Sequence, residues 1–163
     1  MGEAATTLEN EIKDDNRKVS RWLLYYHERR REYLRKREDI MNSSPSLDGS
    51  AGVSSMSAGY VSNPTASKGD KLADLHKTEK WVSFVEEIER RLSPKMQVLL
   101  RLRRQYVHGV RGRPVRWIIA LKLSEEISRS AGKDYSVGPD TVDKWWRNIV
   151  TYAVVVAAKK RLL

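Results

Sequence analysis

Thr141, Asp143, Lys144, Arg147 and Asn148 sit close together near the C-terminus of the chain, and none of them is a soft metal ligand. What they offer is hydrogen bonding. Arg suits the two acceptors of guanine and Asn the acceptor–donor pair of adenine, while Thr, Lys and Asp reach base edges or phosphate neighbours. Val142, Trp146, Ile149, Val150 and Ala153 are interleaved with them at intervals of four, seven, eight and eleven residues, which is one face of a helix. The polar set therefore occupies the opposite face, and Trp145 falls between the two. Core packing is the preferred role for both tryptophans, with contact to a sugar–phosphate backbone as the alternative for Trp145.

A second group is purely cationic. Between Arg90 and Lys122 there are ten Lys or Arg residues and no Asp or Glu. Arg101, Arg103, Arg104, Arg111, Arg113 and Arg116 are the phosphate-binding candidates in this stretch, and Lys133 joins them further on. Phosphate binding by such a set releases counterions and weakens with salt. Arg111-Gly112-Arg113-Pro114 also contains the centre of an AT-hook, whose flat arginines enter a narrow minor groove. The preferred alternative is a glycine turn with Pro114 opening the next helix.

Chemistry of other kinds finds little material. The chain has no cysteine, so disulfides, thiol nucleophiles and iron–sulfur clusters are excluded. His27, His76 and His108 are far apart, so no two of them have the helical spacing a metal-binding pair requires. Glu86, Glu87, Glu89, Glu125 and Glu126 lie beside bases and read as solvated charge. Phosphate-loop and nucleophile-elbow patterns are missing. The expectation is a protein that is not an enzyme and uses no cofactor.

The elements that must hold these residues follow from punctuation and periodicity. At 163 residues the chain suits one domain with extensions. Ile12, Val19, Tyr26, Tyr33 and Ile40 repeat every seven residues, with Trp22, Leu23 and Leu34 beside them, and predict one long helix over about 8–41. Its outer face, Glu28 to Glu38, alternates acids and bases and reads mainly as a self-paired surface, with polyanion binding as the sharper alternative. Residues 42–63 are rich in Ser, Gly and Ala and predict a linker. Pro64 then opens a helix to about Leu92, with Leu72, Leu75, Trp81, Phe84, Val85, Ile88 and Leu92 as its apolar stripe. Ser93-Pro94 starts the next helix, which runs to about Val107. Val115 to Ile127 follows, packed through Ile118, Ile119, Leu121 and Leu123 with Ala120 at a close approach, and Gly138-Pro139 begins the last helix, to about Lys160. The fold class is all-α, a helical domain over 64–163 carrying a helix-turn-helix at about 114–150.

Certain stretches resemble phage transcriptional activators of the RinA and ArpU type. They are Asn63-Pro64-Thr65, Leu99-Leu100-Arg101-Leu102 with Tyr106, Trp117-Ile118-Ile119-Ala120-Leu121-Lys122-Leu123 and Asp140-Thr141-Val142-Asp143-Lys144-Trp145. The layout is similar to the fourth region of bacterial sigma factors. The resemblance implies a promoter-proximal operator in double-stranded DNA, activation of late or packaging genes, and Thr141, Val142, Lys144 and Trp145 on a recognition helix. Two features depart from that pattern. Gly138 replaces a Ser-type cap, and Ser128 to Tyr135 lengthens the corner and leaves the helix register open by a residue or two.

A small terminase subunit and a factor that grips host RNA polymerase are the competing readings. A formal charge of +10 makes a polyanion the default partner. The last helix is apolar around Val154, Val155, Val156 and Ala157, which predicts packing on the N-terminal helix or against a second copy in a homodimer. No run approaches the roughly 18 apolar residues that span a bilayer. The acidic start is unlike a targeting peptide. A soluble protein of the bacterial host cytoplasm, away from membranes, is the expectation.

Overall fold

Apolar stripes of unequal length decide how these helices meet. The computed structural model describes residues 2–42, 64–109 and 114–163. Within them the order is α1 (Gly2–Leu24), α2 (Tyr26–Asn42), α3 (Pro64–Arg91), α4 (Pro94–Gln105), α5 (Val115–Ala131) and α6 (Pro139–Lys159), and no strand occurs among the described residues. The protein is all-α. Apart from Asn42, which closes α2, the expected linker lies outside the described residues, as do Arg111 and Arg113 of the AT-hook-like stretch.

The expected single N-terminal helix is divided at Tyr25. No Pro or Gly stands there, and the hydrogen-bond ladder passes through it: Tyr25 N donates to Arg21 O at 3.0 Å and Arg29 N to Tyr25 O at 3.0 Å. The two halves serve mainly different neighbours, α1 lying on α6 and α4 with a smaller contact to α3, and α2 lying on α3. Val19, Trp22, Leu23, Tyr26 and Tyr33 are buried as the seven-residue spacing requires. Ile12, Leu34 and Leu72 are exposed although their stripe positions predict burial, because a stripe is covered only where a partner helix reaches it.

One core joins all six helices. Phe84, Val85 and Ile88 of α3, Leu99 and Leu100 of α4, Ile119 and Leu123 of α5, and Val142, Ile149 and Ala153 of α6 close around Val19 and Leu23 of α1. Trp22 stacks on Trp81 with centroids 5.2 Å apart and planes 6° from parallel, and Phe84 meets Trp81 edge-on at 5.4 Å. Such pairs add about 1 kcal/mol to the area they bury. The Ser93-Pro94 corner between α3 and α4 is held by Gln97, whose Nε2 donates to Glu89 O at 3.0 Å and Leu92 O at 3.1 Å. Beyond α6, Lys18 Nζ donates to Leu162 O at 3.1 Å, and Lys160 pairs with Glu87 at 2.6 Å. α6 lies on the N-terminal helix of its own chain, the first of the two expected arrangements, with Val156 and Ala157 buried and Val155 left 49% exposed. Among the described residues no helix is long and apolar enough to cross a membrane.

Candidate nucleic-acid interface

α5 supplies the platform on which α6 is set. Ile119, Ala120, Leu123 and Ile127 are buried, and they face Val142, Ile149 and Val150 of α6. Leu121 was expected in this packing but is 59% exposed, beside Trp117 at 57%. These two lie one turn apart on the side of α5 opposite Ile119 and Leu123. The run Trp117-Ile118-Ile119-Ala120-Leu121 is apolar at every position, so periodicity alone does not choose its face.

The corner between α5 and α6 contains the Ser128–Tyr135 extension, and two serines one turn apart on α5 fasten it. Ser128 Oγ accepts from Tyr135 N at 2.8 Å and donates to Tyr135 O at 3.1 Å. Ser124 Oγ accepts from Val137 N at 2.9 Å and donates to Ala120 O at 2.8 Å. Gly132 ends α5 in the left-handed region at φ 64°, which a side chain disfavours. Gly138 then caps α6 in an extended conformation, with Pro139 in its first turn. The register left open by the long corner is therefore fixed by side-chain bonds to backbone.

On α6, Lys144, Arg147 and Asn148 are exposed, Thr141 and Asp143 are half-buried, and Val142 is fully buried. Lys144 and Arg147 have no carboxylate partner among the described residues, whereas Arg147 Nε reaches Asp143 O of its own helix at 3.4 Å. Trp145 and Trp146 are half-buried against the core, the role preferred for them. Asp143 departs from the expected base-reading role. It accepts from Arg103 at 2.9 Å and lies 3.9 Å from Arg116, so its carboxylate is occupied within the protein.

The phosphate candidates fare unevenly. Arg104 is a correction: its side chain is only 6% exposed, with Nε donating to Leu23 O at 2.9 Å, Nη1 to Glu89 at 2.8 Å, and the guanidinium 5.0 Å from the Tyr26 ring. It is a bolt between α1, α3 and α4 and has no face left for a phosphate. Arg103 is also largely enclosed, its guanidinium 5.1 Å from the Trp146 ring, and burial pulls it below its ordinary pKa despite Asp143. Arg101 pairs with Glu126 while keeping an exposed side chain. Arg116 and Lys133 are exposed, and Lys133 has no carboxylate partner among the described residues.

Six of the ten cations of the acid-free stretch are thus paired, among the described residues, with acids that flank it or lie farther along the chain. Arg91, Arg101, Arg103, Arg104, Arg116 and Lys122 pair with Glu87, Glu126, Asp143, Glu89, Asp143 and Glu125 respectively. Charge counted along the sequence misses partners brought in by folding. Among the described residues there is no group of three or more His, Cys, Asp or Glu placed to hold a metal ion. His76 and His108 each meet one glutamate, at 3.4 and 3.3 Å.

No family model, curated protein or solved structure matches this chain.

Proposed function

We propose that the protein is a sequence-specific double-stranded DNA-binding regulator that lays the N-terminal half of α6 in the major groove. The observation that carries this reading is the exposed set Lys144, Arg147 and Asn148 on a helix whose other face is locked onto α5 and α1. A recognition helix must be rigid behind and polar in front, with donors that match base edges. Thr141 stands at its first turn, close to where a phosphate favours a helix N-terminus. Arg116, Lys133 and the exposed side of Arg101 serve the backbone. The resemblance to phage activators makes late or packaging genes the proposed targets.

The test is to select duplexes from a mixed pool of phage and host fragments, then measure variants on the selected and on random sequences. Lys144→Ala or Arg147→Ala should lose about 1–3 kcal/mol of discrimination each, while Arg116→Ala weakens every sequence alike. Failure to retain any duplex in dilute buffer would end the proposal.

A further inference from the structure

A cationic cleft of about 450 Å³ lies at the junction of α1 and α2, lined by Asp14, Arg17, Lys18, Arg21, Trp22 and Arg29. It holds four cations and one carboxylate, and that carboxylate already pairs with Arg17 at 3.1 Å, both side chains being well exposed. The contrast with α4 is physical. There the arginines are bound to acids, whereas here two of the four cations, Lys18 and Arg29, are held by neutral groups. The Arg29 guanidinium lies 4.3 Å from the centroid of Trp22, and Lys18 lies 5.2 Å from that of Trp81 while donating to Leu162 O. Arg21 is exposed, and among the described residues none of Lys18, Arg21 and Arg29 has an ion-pair partner. An aromatic face or a carbonyl orients a cation without cancelling its charge. The result is a concentration of positive charge whose donors are partly pre-positioned.

We infer that this cleft binds phosphate groups. Its chemistry does not read bases: Trp22 is stacked on Trp81 and carries Arg29, and it is only 8% exposed, so no ring is open to a nucleobase. The phosphate can come from a nucleic-acid backbone or from a free oligophosphate, and the open, solvated lining favours the backbone, where released counterions add to the binding. The cleft adjoins Leu162, past the C-terminal end of α6, while Lys144 and Arg147 lie in its N-terminal half. That helix spans about 30 Å. The inference rests on the proposed function only in taking duplex DNA as the polyanion, and it adds a base-blind contact apart from the reading residues.

The experiment measures full-length protein binding to a random-sequence duplex of about 30 base pairs, long enough for several helical turns, as salt is raised. Lys18→Ala/Arg21→Ala should make the plot of log affinity against log salt shallower by about 1.8, from about 0.9 for each lost phosphate contact. The charge-matched Arg31→Ala/Arg35→Ala should change it by less than about half of that. Both pairs are exposed, and unchanged thermal melting confirms folding. In a second arm, pyrophosphate should raise the melting temperature of the wild type and not that of the cleft variant if small phosphates suffice. Loss in either arm confined to the cleft variant supports the inference and assigns the source. Equal losses in both variants, or no loss in either arm, overturn it. Because the duplex is random, these outcomes are independent of whether Lys144 and Arg147 discriminate sequence.

Discussion

Arg103 donates to Asp143 at 2.9 Å with its guanidinium 5.1 Å from the Trp146 ring, so α4 grips the proposed reading helix by its first two turns. Two residues that look from the sequence like a phosphate contact and a base contact instead pair with each other. Removing the acid leaves a mostly enclosed guanidinium with only an indole for company. Asp143→Ala should therefore lower stability by about 1–2 kcal/mol, the upper range for charged hydrogen bonds being discounted for the partial exposure of Asp143. A double-mutant cycle with Arg103→Met, read by urea unfolding, should show a coupling of about 1 kcal/mol. Additive losses would mean that the pair does not act together. Asp143→Asn should also tighten binding to all duplexes, since it removes a negative charge without touching Lys144 or Arg147.

Arg104 ties Leu23 of α1 and Glu89 of α3 to α4. Arg104→Ala should cost about 2–4 kcal/mol, somewhat below a fully buried pair because Glu89 retains contact with water. Arg104→Lys should recover little, because a single ammonium cannot reproduce the planar fork that serves a carbonyl and a carboxylate together. Recovery of wild-type stability by lysine would show that charge alone suffices at this position.

Much of the architecture was legible in punctuation. Pro64, Ser93-Pro94, Gly132 and Gly138-Pro139 bracket helices where backbone chemistry requires boundaries, and the stripes of α3 and α6 point to their buried faces. Four things were not legible, each for a physical reason. The division at Tyr25 falls where neither Pro nor Gly stands, so no local signal records it. The exposure of Leu121 and Leu34 depends on where partners end. The neutralisation of Arg101 and Arg103 depends on acids 25 and 40 residues away in sequence. The cleft around Arg21 was hidden for the converse reason: its sequence surroundings contain acids, but folding brings only Asp14 into it.

Tyr26 donates to Glu86 at 2.6 Å, and burial, then this bond to a carboxylate, raise its pKa from 10.0 to about 12. A proton held more tightly in the folded state stabilises the fold below pH 10 and ceases to do so as pH climbs through about 12. The window of lost stability is therefore alkaline, and the amount is of order 2 kcal/mol. Tyr33 is shifted in the same direction, again by burial first and then by a bond to Glu79. Unfolding midpoints measured between pH 9 and 12 should fall less steeply for Tyr26→Phe than for the wild type, and least for Tyr26→Phe/Tyr33→Phe. Identical slopes for all three proteins would remove the two tyrosines as the cause.

Ser124 and Ser128 decide where α6 begins relative to α5, because they hold the amides of Val137 and Tyr135. Val137 is 6% exposed, so Ser124→Ala leaves its N–H without a partner in a dry setting and should cost about 1–2 kcal/mol. Ser128→Ala should cost about 1 kcal/mol, since Tyr135 is half-buried and water can replace the hydroxyl. Gly132→Ala should cost about 1 kcal/mol through its φ of 64° alone, as no atom lies within 4 Å of an added Cβ. Hydrogen exchange locates the effect: the Val137 amide should lose protection in Ser124→Ala and the Tyr135 amide in Ser128→Ala, while amides in the middle of α3 change only with global stability. A looser corner lets α6 shift by a fraction of a turn, which disturbs contacts that require register more than contacts that require charge. Ser124→Ala/Ser128→Ala should accordingly reduce the preference for selected over random duplexes while random-duplex affinity stays near wild type. Equal weakening on both would show that the serines support the fold without setting the register.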